Sequence, residues 1–530
     1  MISIDYHDRT KHEFNRFARS LGYLDWATQP DPFRRYAGAR AIELPRGTRA
    51  ADVPYANLYG GRVASAPIDA HSVGEFLRCS MGLSAWKQYR DSRWALRVNP
   101  SSGNLHPTEA YIAWDGRVCH YAPQPHVLEH RCTLDERAWR ELCGETPAFV
   151  VALTSVQWRE AWKYGERAFR YCQHDTGHAI AALRFAAALL GWRLSLLTQW
   201  SDDQLAALLG LDRAVDWGDA EPEEPECIAI VTPDEPARWL DLDPARLVAA
   251  ARAAAWQGTA NRLSSDHVEW SIIARVAAAT RYPGSAPRVR EDGLGVGPTS
   301  VAGSWTSARA RDVILRRRSA VAFDPRSTLS RHAFTSMLRR LVPGAPPWDA
   351  IDWPPHVHLA LFVHRVDGLT PGLYAYLRDR AVLPEWRAAM RPDFLWERVD
   401  DEHDLFLLVP VDVGLAACRL SCDQEIAADG FFSLGMIARV ESALRERGEW
   451  FYRRLYWECG VIGQVLYLEA EAAGARSTGI GCFYDDPLHD TLGLTGHEWQ
   501  SLYHFSMGMP VEDARLTTEP GYAWEAPEPE

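Results

Sequence analysis

Residues 163–211 align with residues 446–494 at a constant offset of 283, without a gap. Gly165, Glu166, Arg170, Gly177, Leu183, Ala187, Gly191 and Arg193 fall on Gly448, Glu449, Arg453, Gly460, Leu466, Ala470, Gly474 and Arg476. Asp202, Asp203, Leu205, Leu209, Gly210 and Leu211 fall on Asp485, Asp486, Leu488, Leu492, Gly493 and Leu494. A period this long repeats a whole domain; solenoid units repeat every 20–50 residues or so. The chain of 530 residues therefore reads as two large related halves.

The copies are not equivalent. Asn99-Pro100-Ser101-Ser102-Gly103-Asn104-Leu105-His106-Pro107 belongs to the first half only, and Arg316-Arg317-Arg318-Ser319 to the second only. The second half has no Pro-Ser-Ser before His356, and the first has no Arg-Arg-Ser near Tyr59-Gly60-Gly61-Arg62. Such complementarity implies one site assembled at the junction of the halves.

Composition limits the partners. Hydrophobic content of 47% and charged content of 24% are ordinary for a globular protein. No run of 18 apolar residues marks a membrane helix, and the start lacks a signal peptide's apolar core. Ten scattered cysteines suggest no disulfide framework, so a cytoplasmic location is expected. A net charge of −13 argues against nucleic acid and anionic membranes and leaves a small molecule as the expected partner.

The organisation follows from pattern. Residues 1–55 are expected to wrap the surface, 56–245 to form domain 1, 246–305 to connect, 306–516 to form domain 2, and 517–530 to be a loose acidic tail. Val73, Phe76, Leu77 and Met81 recur at helical spacing between about 68 and 85. Asp115-Gly116 between apolar runs predicts a hairpin, and 148–153 a buried strand. Ile180, Leu183, Ala187 and Leu190 stripe a helix over 168–190, with Gly191 in the terminating position. The second half predicts a helix at 331–341, strands at 357–363, 372–376 and 405–410, and a long helix at 451–473. Asp486 and Pro487 are expected to start the next helix. The glycine-rich 293–297 run is expected in the connection.

Several segments carry possible chemistry. Pro100, Ser101, Ser102 and Asn104 combine small size with polar groups, which suits close approach to a flat ring; an ordinary polar turn is the plainer reading. Arg317, Arg318 and Ser319 suit a phosphate, although an arginine run is more often a solvated surface. Gly479-Ile480-Gly481 is a flexible loop whose bare N–H groups would face a ring edge; Leu196, Leu197 and Thr198 replace it in the first half. Lys163 and Tyr164 are proton donors or acceptors if burial shifts them, and Glu446 and Arg447 replace them in the second copy. His174 and His178 lack a metalloprotease glutamate, and Cys418 and Cys422 lack zinc-ligand partners, so packing roles and buried or free thiols are expected.

Together these motifs resemble the nitroreductase superfamily of flavin mononucleotide (FMN) enzymes, most closely its azoline-oxidising (SagB/ThcOx-type) dehydrogenase branch. The likeness covers roughly 60–240 and 305–520. It implies an α+β fold: two fused nitroreductase-like domains, each a central, mostly antiparallel sheet flanked by helices, forming an intramolecular pseudo-dimer. That fusion would replace the family's usual homodimer. The resemblance also implies one FMN, with Arg317, Arg318, Ser319 and Arg515 on its ribityl and phosphate, Gly479 and Gly481 at the ring edge, and Pro100, Ser101, Ser102 and Asn104 lining it from the other half. Lys163 and Tyr164 would move protons. Val321 and His106 depart from the family, where a basic residue and a glutamine are common. The expected activity is C–N or C–C dehydrogenation of a small molecule or modified peptide, with O2 as acceptor. The alternatives are an NAD(P)H-dependent nitro, quinone or enone reductase and a flavin-binding scaffold without turnover.

Overall fold

The computed structural model describes all residues except 48–51, 145–146, 234–238, 241–242, 285–305, 400–402 and 526–530. The glycine-rich 293–297 run lies outside the described residues.

The fold is α+β, with two seven-stranded sheets of one design. The first runs Arg40–Glu43, Val127–Thr133, Arg117–Ala122, Thr108–Trp114, Phe149–Ser155, Glu224–Thr232, Arg193–Leu196. The second runs Glu397–Arg398, Leu405–Val409, Gly372–Tyr376, Val357–Val363, Phe432–Arg439, Trp499–Gly508, Arg476–Ile480. Apart from the edge strands Arg40–Glu43 and Glu397–Arg398, the two orders match strand for strand in chain sequence, and every neighbouring pair is antiparallel. The Asp115-Gly116 turn closes its hairpin with both residues at positive φ, 51° and 71°, as a type I′ turn requires.

Between the sheets lie the long helices Ala168–Leu189 and Phe451–Ala472, each followed by a glycine at positive φ, Gly191 and Gly474. The apolar stripe of the first helix faces the core as expected, but its polar side is buried too: Arg170, Gln173, His174, Asp175, His178 and Arg184 are all enclosed. A helix buried on all sides must satisfy its polar groups through its neighbours. Contacts between the halves are reciprocal under the 283-residue offset. Arg170 pairs with Asp485 at 2.7 Å, and Arg453 pairs with Asp202. A Cβ on Gly177 would stand 2.7 Å from the Cα of Trp457, and a Cβ on Gly460 2.7 Å from the Cα of Gly177. Only glycine allows the helices to cross this closely.

Four expectations are corrected. Residues 1–55 do not simply wrap the surface. Helix Ile2–Arg9 is wedged between the halves, with Tyr6 and His7 buried; Ser3 bonds to Glu449 and Tyr6 to the carbonyl of Glu166, the two equivalents under the offset. Arg40–Glu43 is an edge strand of the first sheet, and Tyr36–Ala37 pairs with Thr259–Ala260. The tail is not loose through its described part: Thr517–Pro520 pairs with Leu83–Tyr89, and Tyr522 is buried. Finally, Asp486 is not a helix cap. The helix begins at Asp485, whose carboxylate is claimed by Arg167 and Arg170. The early helix is also shorter, Ala70–Arg78, because the chain turns into the strand from Leu83.

Candidate active site

A cavity of about 390 Å³ opens where the halves meet. The first half contributes Arg97, Pro100, Ser101, Ser102, Gly103, Asn104, His106, Asp175 and His178 to its lining. From the second half come Arg317, Arg318, Ser319, Val321, Tyr467, Gly479 and Tyr503. Lys87, Trp94 and Leu96 cover it from a hairpin that the chain's last strand also joins.

The Pro100–Asn104 turn is held rigidly. Gly103 and Asn104 both have positive φ, and the Asn104 amide donates to the Ala95 carbonyl. The Ser102 N–H and hydroxyl donate to Asp175, at 3.1 and 3.3 Å. Beneath the turn, Ser101 reaches Glu160 at 3.4 Å. Glu160 and Asp175 are fully enclosed, and each has one carboxyl oxygen without a partner. Burial raises the Asp175 carboxyl to about 7. It also raises Glu160 well above its usual range, helped by the charge of Asp175 and opposed by Lys163. The two acids therefore share protons at neutral pH.

The arginines form the opposite wall. Helix Ala310–Arg316 ends in an extended turn that turns Arg317 inward, where its guanidinium donates to the Arg97 carbonyl at 3.0 Å and lies over Tyr467. Arg318 donates to the carbonyls of Leu315, Arg317 and Ser84. Neither has a carboxylate within ion-pair distance among the described residues. Burial lowers both; Arg318 falls to about 9, with Arg317 adding to the effect. A buried Arg317 and a partly buried Arg318, with Glu471 near but not in contact, favour an anionic ligand. His178 is pushed down to about 3 by burial and by Arg317, so it is neutral. His106 is likewise neutral, and neither of its ring nitrogens has a partner.

Of the remaining sequence candidates, Gly479 and His178 reach the lining, and Lys163, Tyr164, Gly481 and Arg515 do not. Lys163 and Tyr164 stand behind the turn: a Cβ on Gly103 would meet the Tyr164 hydroxyl at 2.6 Å and the Lys163 ammonium at 3.1 Å. Burial, then Glu160, raises the Tyr164 phenol well above its usual range, so it can donate a proton but not act as a base near neutrality. Gly479 belongs to strand Arg476–Ile480, so the expected flexible loop is a strand end without positive φ. Its N–H already donates to Tyr467, and glycine is needed because a Cβ would lie 2.7 Å from Tyr503 Cζ. Gly481 packs on Tyr171 away from the cavity. Arg515 is also misplaced as a phosphate ligand: it is exposed, pairs with Asp513 at 2.8 Å, and leaves Leu516 to line the cavity. His174 packs as expected, stacked on Tyr503, whereas His178 reaches the cavity. Asp175, Glu160 and Tyr467 had no sequence motif; the only available signal was a polar face on an otherwise apolar helix.

The other junction differs. Arg184 stands where the offset puts Tyr467, and it pairs with Asp349 at 2.7 Å. The space next to Leu196, Leu197 and Thr198, which the offset puts on Gly479, Ile480 and Gly481, is about 20 Å³, room for one water.

Residues 66–219 match the model of the nitroreductase family. A crystallised nitroreductase-like protein of Anabaena variabilis shares the fold at a TM-score of 0.68, with 20% identity, over 96% of this chain and 99% of its own. A nitroreductase-like protein of Methanocaldococcus jannaschii is 23% identical over 100 residues, which are 19% of this chain. The chain spans about half the length of that relative, 50%. No helix among the described residues is long and apolar enough to cross a membrane.

Proposed function

We propose that the chain is an FMN-dependent oxidoreductase of the nitroreductase type, built as a duplicated pseudo-dimer that retains one flavin site. The observation that carries this reading is the cavity: it is lined by both halves and holds a buried Arg317 and a partly buried Arg318, neither in contact with a carboxylate among the described residues, while at the other junction Arg184 takes the place of Tyr467 and pairs with Asp349. Its volume lies within the range of about 300–1,000 Å³ typical of cofactor pockets. The unpartnered Arg97 and Arg317 Nε, His106 ring nitrogens, His178 Nδ1 and Asp175 oxygen offer the mixed donors and acceptors that a flavin ring edge and phosphate need. Arg317, Arg318 and Lys87 would hold the phosphate; Ser319, Ser101, Ser102 and Asn104 would line the ribityl chain and ring, with Gly479 giving close approach. Arg515 and Gly481 take no part.

Bound FMN would supply hydride transfer; the protein supplies binding, orientation and proton handling. Asp175, near neutrality in its titration and on the cavity wall, holds or releases a proton there. Glu160 and Lys163 act on one another through their charges behind it, and Tyr164 would donate. This supports dehydrogenation of a C–N or C–C bond in the azoline-oxidising manner, with O2 as acceptor. The protonated Tyr164 phenol equally suits a second reading, reduction of a nitro, quinone or enone compound by NAD(P)H. The substrate in either case is a small molecule or modified peptide.

Flavin released by denaturation is to be measured against protein. One FMN per chain is expected. Two would refute the single-site reading, and none after reconstitution would favour a non-flavin ligand. Anaerobic mixing with NADH or NADPH then separates the two chemistries.

A further inference from the structure

Away from the cavity, two cysteines 60 positions apart bring their sulfurs to 2.9 Å: Cys422 and Cys482. Cys422 follows helix Gly414–Leu420 and has a positive φ of 57°. Cys482 lies between strand Arg476–Ile480 and the helix from Asp485. The two segments are fastened together. The Tyr484 N–H donates to the Leu420 carbonyl at 2.9 Å, and the Gln424 amide donates to the carbonyls of Ser421 and Cys482. Contact between the sulfurs is thus built into the backbone.

The surroundings distinguish Cys482 from the other described cysteines. His12 uses Nδ1 to accept from the Ala18 N–H, which leaves its other ring nitrogen for the Cys482 sulfur. Arg167 donates to the Gly481 carbonyl and adds positive charge. The Cys422 thiol, then His12, holds Cys482 down at about 5, so it is a thiolate at neutral pH, whereas Cys422 is raised and keeps its proton. Cys79, Cys119, Cys132, Cys172, Cys227, Cys418 and Cys459 are all raised. Both members of the pair are partly exposed, so a small oxidant can reach them.

We propose that Cys482 and Cys422 form a redox-active dithiol whose substrate is a hydroperoxide, with Cys482 the attacking sulfur and Cys422 the resolving one. The Cys482 thiolate attacks a peroxide oxygen; the O–O bond breaks, Cys482 becomes a sulfenic acid, and the leaving oxygen takes up one proton from solvent to leave as water from hydrogen peroxide, or as an alcohol from an organic hydroperoxide. The Cys422 sulfur then attacks the sulfenic sulfur, forming the S–S bond and expelling a second water. In sum, two thiols lose two electrons and two hydrogens, and one hydrogen peroxide becomes two waters. An external dithiol reverses the change by thiol–disulfide exchange.

The experiment uses the full-length protein with hydrogen peroxide as the probe, followed by alkylation and peptide mapping. The expected result is a linked Cys422–Cys482 peptide two hydrogens lighter than the reduced pair, restored by dithiothreitol. Without peroxide, iodoacetamide should label Cys482 about tenfold or more faster than any other cysteine at neutral pH. In Cys422→Ser, a dimedone-trapped sulfenic acid should accumulate on Cys482. The proposal is overturned if Cys482 is labelled no faster than the other cysteines, or if peroxide leaves the pair unlinked in the wild-type chain. A disulfide formed with a different cysteine would overturn it equally. The wild-type measurements decide the matter even if a variant fails to fold.

Discussion

Replacing Asp175 by asparagine tests the buried acid pair directly. Asp175 is fully enclosed, and burial raises its carboxyl from 3.8 to about 7. Between these limits the native protein keeps a proton that the unfolded chain releases. Stability therefore falls as pH rises from about 4, and the contribution is lost once pH passes about 7. A shift of roughly three units corresponds to about 4 kcal/mol, an upper figure because Glu160 shares the titration. Asparagine keeps the oxygen that accepts from Ser102 but cannot ionise. Urea unfolding, followed by the fluorescence of the 22 tryptophans, compares Asp175→Asn with the wild type across this range. At about pH 4 the two should agree to within about 1 kcal/mol, and above about pH 7 the variant should gain up to about 4 kcal/mol relative to wild type. If the difference stays constant with pH, or the wild type gains as pH rises, Asp175 does not titrate as argued, and its assignment as the cavity's proton store fails.

The remaining predictions concern the cofactor, the proton path and the junction. Arg317→Ala should weaken FMN binding by about 1.5–3 kcal/mol, since a charge-assisted bond is lost. Arg62→Ala, on the exposed surface of the first half, should leave affinity unchanged; equal losses in a flavin titration would mean that the halves are wrongly assigned. Lys163→Ala and Tyr164→Phe should slow turnover by about 10²–10⁴-fold while flavin content persists. Unchanged rates of flavin reduction in both would remove them from the chemistry. Gly177→Ala and Gly460→Ala should each destabilise the chain by about 1–3 kcal/mol through overpacking, partly offset by the helix preference of alanine. Because a Cβ on Gly460 would meet Gly177, the double variant should not be additive. Additive losses in urea unfolding would show that the helices can separate there.

Local pattern determined much of this protein. The strand at 357–363, the Asp115-Gly116 hairpin and both long helices were legible because each depends on periodicity, a turn residue or a terminating glycine acting over a few positions. The 283-residue offset marked equivalent segments, and the fold brings them together in reciprocal contacts, Arg170 with Asp485 and Arg453 with Asp202. Pro100, Ser101, Ser102, Asn104, Arg317, Arg318, Ser319 and Gly479 converge on one cavity, as their complementary distribution suggested. What the sequence could not supply was burial by a distant segment. The polar face of Ala168–Leu189 looks solvent-facing in isolation; only the opposing helix and the Pro100–Asn104 turn enclose it and make Asp175 a near-neutral acid. Arg515 carried the right charge, but nearby Asp513 holds it at the surface. Helix Ile2–Arg9 gave no sign of its place between Glu166 and Glu449, and two thiols 60 positions apart are brought into contact by the folded backbone. Charge, exposure and proton affinity depend on what surrounds a side chain, and for these residues that surrounding exists only in the folded chain.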